Sequence, residues 1–218
     1  LLDNFEPGMK TADVKVIFDA LRPKQVELIK AVAQKPQVDD SFLHQDFEDK
    51  KQWDFGVDVI TKFGYDWNCG RQDKAAHPFT TSFGNRDVRI TTRVVPNFLN
   101  SMLFGSMHEC GHALYGLGSP DDLERTTLDG GASLAVHESQ SRMWENLVGR
   151  SLPFWEHFYP RLQETFPSQL SNVPLEKFYK GINKVQPSLI RVEADEATYN
   201  LHIMLRLEIE IALMEGKL

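Results

Sequence analysis

The 218-residue sequence predicts a mainly α-helical chain with one small antiparallel β-sheet, a hairpin, lying beside a long helix. Two observations carry this. Apolar residues recur at helical spacing through the first third of the chain and again toward its end, the mark of helices that each bury one face. One stretch alone, residues 79–94, is rich in β-prone residues that alternate in character, and it runs directly into a segment with a continuous apolar stripe.

In residues 12–21, Val14, Ile17, Phe18 and Leu21 stand at i, i+3, i+4 and i+7, an amphipathic helix that Pro23 is expected to end. Val26, Ile29 and Ala33 continue as a second helix, stopped by Pro36. Residues 42–63 carry Phe47, Trp53, Val57 and Ile60 among charges, and Gly64 closes that pattern. The texture changes after His77. Residues 79–83 and 87–94 flank Gly84-Asn85, a hairpin signature. Val88, Ile90, Thr92 and Val94 point one way, and Asp87, Arg89, Thr91 and Arg93 the other, because successive strand residues face opposite sides.

Pro96 is expected as the first residue of the next helix. That helix places Phe98, Leu99, Met102, Leu103, His108 and His112 on one stripe and stops at Gly118-Ser119-Pro120. After Asp129-Gly130-Gly131 a helix over residues 133–147 carries His137-Glu138-Ser139-Gln140 and ends at Gly149 and Pro153. Residues 154–166 are aromatic-rich, and Leu175, Phe178, Tyr179 and Ile182 form another amphipathic set. Arg191 opens a final core helix marked by Leu201, Met204, Leu205 and Leu213.

Composition bounds the function. The net charge of −7 and a pI near 5.5 argue against a nucleic-acid partner, which needs clustered Lys and Arg. No apolar run is long enough to cross a membrane and no export signal is visible. Cys69 and Cys110 are far apart and make a disulfide framework improbable, so a reducing compartment, the cytoplasm, is expected. Residues 1–218 read as a single domain. A start without Met and a stop just after a helical pattern are expected of a fragment of a longer chain. The oligomeric state stays open, a homodimer among the options.

The chemistry-bearing run is His108-Glu109-Cys110-Gly111-His112. On a helix the i, i+4 offset stacks both imidazoles on one face, where each can reach a single divalent ion. Glu109 cannot easily ligate that ion, but it can take a proton from a metal-activated water. A catalytic site of this kind uses three protein ligands and keeps one position open, which makes Glu138 on the following helix the natural third. Two other readings remain. An endopeptidase or oligopeptidase uses the same ligands, and a non-catalytic helical domain could use a metal merely to tie helices together. Structural zinc sites fill all four positions and favour Cys, and Cys110 points about 100° per residue away from the His stripe.

Signatures along the chain, namely His77-Pro78-Phe79, Asp87-x-Arg89-x-Thr91, His108 to His112, His137-Glu138-Ser139-Gln140 and Ile190-Arg191-x-x-Ala194-Asp195, together resemble the thermostable carboxypeptidase Taq-type zinc metallocarboxypeptidases. The resemblance implies a mostly helical zincin core of gluzincin-like type with a small sheet beside a deep groove. It implies a divalent metal, Zn2+ first with Co2+ as the alternative, and removal of C-terminal residues from peptide substrates. His77 is then expected in the substrate groove, and Arg191 beside the substrate's end, where a guanidinium can pair bidentately with a free α-carboxylate. Asp87, Arg89, Thr91 and Asp195 are expected to brace the site. Members of the family are longer and carry a last Gln-Asp-x-His-Trp motif that is absent here, so the chain is expected to be a catalytic core.

Overall fold

In a computed structural model, which describes residues 2–218, the elements follow in chain order. They are α1 (Thr11–Ala33), α2 (Asp49–Lys62), β1 (Gly70–Lys74), β2 (Thr80–Gly84), β3 (Asp87–Thr92), α3 (Leu99–Leu117), α4 (Leu134–Arg142), a π-helical turn (Met143–Val148), α5 (Leu152–Thr165), α6 (Pro167–Leu170), α7 (Leu175–Ile182) and α8 (Glu196–Met214). No helix among the described residues is long and apolar enough to cross a membrane. The chain divides into two compact units, one spanning Asp39–Ile182 and the other built from the segments before and after it.

In the unit made from the chain's two end segments, α1 runs through Pro23 as one helix where the sequence predicts two. A proline inside a helix forfeits a backbone hydrogen bond at a cost of roughly 3 kcal/mol. Contacts with α8 grip α1 on both sides of it: Arg22 pairs with Glu208, and Gln25 donates to the carbonyl of Ala197 at 2.6 Å. The last helix starts at Glu196, five residues later than Arg191, because Asp195 caps it by accepting from the amides of Ala197 and Thr198.

The unit Asp39–Ile182 is organised by an aromatic core in which Phe47, Trp155, Leu162 and Phe178 are fully buried. The Trp155 and Phe178 rings meet at 4.6 Å. A second cluster, Ile60, Tyr65, Val88, Ile90, Cys110 and Ala113, fastens the sheet to the back of α3. Val88, Ile60 and Ile90 each contribute about 1.5–3 kcal/mol on burial, so the position of the sheet against α3 is strongly fixed. Burial pushes the Cys110 thiol up to about 12, which leaves it an inert packing group.

The hairpin is β2–β3, turning through Asn85 and Arg86, with an irregular register between Ser82 and Gly84. Val88, Ile90 and Thr92 are buried as their alternation requires. The sheet is not purely antiparallel, however: β1 adds to the other side of β3 in parallel register, giving the order β1-β3-β2. A second difference is the start of α3 at Leu99 instead of Pro96. The carbonyls of Val95 and Pro96 are engaged by the Gln52 side chain and the Phe47 amide, so this segment is held as a turn against the approach to α2.

Candidate metal centre

The site is made by the close approach of α3 and α4. At their crossing lies Gly111, where a Cβ would sit 2.7 Å from Ser141 Cα and 2.9 Å from the Gln140 carbonyl oxygen. Only glycine permits that approach. Ser133 starts α4 by accepting from the Val136 amide, which fixes the turn bearing Glu138. His108 and His112 lie one helical turn apart and meet edge to face, with ring centroids at 4.9 Å. Their Nε2 atoms lie 3.5 and 3.2 Å from Oε2 of Glu138. One ligand atom from each of the three residues lies within 4.8 Å of the others.

The far side of each imidazole is also occupied. Nδ1 of His108 is 2.8 Å from Glu145 Oε2, and Nδ1 of His112 is 2.7 Å from Nδ1 of His137. Both rings therefore turn Nε2 toward Glu138. Arg142 spans the two carboxylates, with Nε donating to Glu138 and Nη1 to Glu145, each at 3.1 Å. Burial works to lower the His108 pKa, but its hydrogen bonds to Glu138 and Glu145 outweigh this and hold it up at about 9. Burial likewise opposes the charge on Glu138, and the bonds from His108 and His112 overcome it, holding the carboxyl well below its usual range. Glu145 is lowered against the same burial penalty by His108, Arg150 and Arg142. His137 is lowered by burial and by the neighbouring His112. Two imidazole nitrogens and an ionised carboxylate that converge in this way fit a divalent ion of borderline softness such as zinc.

Glu109 is 6 % exposed. Its Oε2 accepts from the Thr80 hydroxyl at 2.6 Å, a bond from the second strand to the metal-type helix. His77 is exposed in the bend ahead of that strand. Its neighbour Pro78 lies at ordinary contact distance from where a Cβ on Gly105 of α3 would be. Asp87 and Arg89 pair with each other through two 2.7 Å bonds on the exposed face of β3. Thr91 accepts from the Phe79 amide at 3.0 Å and so anchors the lead into Thr80. Arg191 and Asp195 belong to the other unit, where Arg191 donates to the Tyr199 hydroxyl at 2.7 Å and Asp195 caps α8.

Thr80, His137 and Glu145 are neighbours of these residues to which sequence reasoning attaches no role, whereas Arg142, one turn past Glu138, is expected to pair with a helix acid and does so. A signal for Glu145 existed. Glu138, Arg142 and Glu145 stand at i, i+4 and i+7, an acid-base-acid stripe on one helical face.

A His-Glu-x-x-His helix whose two imidazoles face a Glu from the next helix is compatible with a zincin-like metal site. The family is shown by sequence. The chain belongs to the carboxypeptidase Taq (M32) metallopeptidase family, whose sequence model matches residues 1–218. It is 48% identical to thermostable carboxypeptidase 1 of Thermus thermophilus over 219 residues, covering 100% of this chain and 43% of that protein. It is 41% identical to carboxypeptidase 1 of Bacillus subtilis, covering 100% of this chain and 44% of that one. The crystal structure of the M32 carboxypeptidase from Deinococcus radiodurans R1 superposes with a TM-score of 0.95 at 45% identity, over 99% of this chain and 44% of that chain. The chain thus spans less than half the length of the curated relatives it matches.

Proposed function

We propose that this chain carries the catalytic centre of a metal-dependent carboxypeptidase, with His108, His112 and Glu138 holding one divalent ion, Zn2+ first and Co2+ as the alternative. The observation that carries the reading is the convergence of those three side chains within 4.8 Å. A divalent ion bound there supplies Lewis acidity, which polarises a carbonyl and makes water acidic enough to lose a proton near neutral pH. Glu109 takes that proton as general base and returns it to the leaving amine. Thr80 holds the Glu109 carboxylate in one orientation while it does so. Arg191 receives the free α-carboxylate of the peptide, and His77 hydrogen-bonds the peptide in its groove. Asp87 and Arg89 brace β3 by pairing with each other, Thr91 holds the Phe79 amide, and Asp195 holds the first amides of α8. The two free thiols, Cys69 and Cys110, favour the cytoplasm as the working compartment.

The experiment is digestion of one peptide with a free C-terminus and of the same peptide amidated, before and after chelation and after adding back Zn2+. Loss of the terminal residue from the free acid alone, abolished by the chelator and restored by zinc, supports the proposal. Cleavage of internal bonds in both peptides would make the protein an endopeptidase. Zinc binding without hydrolysis would leave only a metal-tied helical domain.

A further inference from the structure

Beside the His pair lies a buried acid that the reaction above does not use. The Glu145 side chain is 14 % exposed and meets one imidazole and two guanidinium groups: His108 Nδ1 at 2.8 Å, Arg142 Nη1 at 3.1 Å and Arg150 Nη2 at 3.7 Å. A carboxylate taken out of water is costly unless it is matched by charge and hydrogen bonds. Here the match is supplied in part by one of the ring nitrogens of the cluster itself.

The backbone that presents it is also unusual. Glu145 sits in the π-helical turn Met143–Val148, and single π-turns are found mostly inside α-helices at functional sites. At the end of this turn is Gly149, where a Cβ would lie 2.4 Å from Met107 Sδ and 2.8 Å from the Glu145 carbonyl oxygen. The end of the turn therefore packs directly on the side chain of Met107, the residue before His108.

An ionised carboxylate only accepts hydrogen bonds, so Nδ1 of His108 must donate, and a neutral His108 then keeps its lone pair on Nε2, facing Glu138. His112 has no such partner behind Nδ1, which faces the imidazole of His137. The two His residues are therefore backed unequally, one by an anion and one by a ring.

We propose that Glu145 is a positioning residue of the metal centre, which fixes the tautomer and orientation of His108 and strengthens it as a ligand, with Arg142 tying Glu145 to Glu138. The proposal rests on the reading of His108, His112 and Glu138 as metal ligands. Carboxylates placed in this way behind a metal-bound imidazole affect both ligand basicity and ring orientation.

The test is calorimetric titration of Zn2+ into the purified protein and its Glu145→Gln and Glu138→Ala variants, together with the imidazole proton spectrum of the zinc-loaded protein. Glu145→Gln keeps the shape and removes the charge, and is expected to weaken Zn2+ binding about 10- to 100-fold. In the wild type the His108 Nδ1 proton is expected far downfield and slow to exchange, and in Glu145→Gln upfield and faster. Unchanged zinc affinity and an unmoved proton in Glu145→Gln, with binding abolished in Glu138→Ala, would overturn this proposal and leave the metal reading intact. A wild type that binds no Zn2+ would overturn both. A wild-type zinc-loaded spectrum lacking the slow Nδ1 proton overturns it without any variant.

Discussion

The Thr80 hydroxyl donates a 2.6 Å hydrogen bond to Oε2 of Glu109, joining β2 to the acid that stands between the two His of α3. A hydroxyl has one proton to give, and the Glu109 carbonyl oxygen, at 3.1 Å, is the weaker claimant. The short sheet thereby orients the proposed general base. Thr80→Val keeps the shape and removes the donor. A hydrogen bond to a charged group is worth about 1.5–3 kcal/mol, so kcat is expected to fall by about 10-fold or more while KM and zinc content hold. Steady-state kinetics with metal analysis check this, and a variant with wild-type kcat would deny Thr80 that role.

Gly111→Ala tests the helix crossing. The added Cβ meets backbone, Ser141 Cα at 2.7 Å, which cannot swing aside as a flexible side chain would. Overpacking of this kind costs about 1–3 kcal/mol. The expected outcome is a lower melting temperature together with weaker zinc binding, because moving α4 away also moves Glu138. A variant destabilised yet unchanged in zinc affinity would show that the crossing does not set the site.

The parts of this fold that were legible in the sequence are those written in periodicity. His108 and His112 at i, i+4, the alternation of Val88, Ile90 and Thr92, and the cap-bounded helix bearing Glu138 all follow from local rules. β1 was not legible. Gly70-Arg71-Gln72-Asp73-Lys74 has no β-prone alternation, and its extended form comes from parallel pairing with β3 and from Gln72 donating to the Ser106 hydroxyl at 2.8 Å. Pro23 misleads because the gain that keeps α1 whole comes from α8, far away in sequence. Glu145 stays hidden because an acid on a helix normally faces water, and the His108 ring that it meets lies on another helix.

Asp195 makes a separate prediction, on stability. It accepts from two amides at the start of α8 and from the Thr198 hydroxyl at 2.8 Å. Asp195→Ala is expected to lower stability by about 0.5–2 kcal/mol, the usual loss for a helix N-cap. Asp195→Asn should recover most of it. Denaturant titration reads both, and equal loss in the two variants would mean that its charge matters beyond the cap.

In the proposed function, Arg191 is the residue that separates an exopeptidase from an endopeptidase. Its guanidinium donates to the Tyr199 hydroxyl at 2.7 Å, and that neutral partner leaves its charge available to a carboxylate. Arg191→Ala is expected to keep zinc and fold while losing about 1.5–3 kcal/mol of preference for a free-acid over an amidated peptide. A variant that retains the full preference would remove Arg191 from carboxylate recognition.

The division of labour within the cluster is tested most directly by metal content measured beside turnover in Glu109→Gln and Glu138→Ala. Glu138 Oε2 faces both His Nε2 atoms, whereas Glu109 is held by Thr80. The expected result is that Glu109→Gln retains one zinc per chain and hydrolyses no peptide, while Glu138→Ala loses the zinc. Equal loss of zinc in both variants, or peptide hydrolysis surviving in Glu109→Gln, would contradict the assignment of Glu138 as ligand and Glu109 as base.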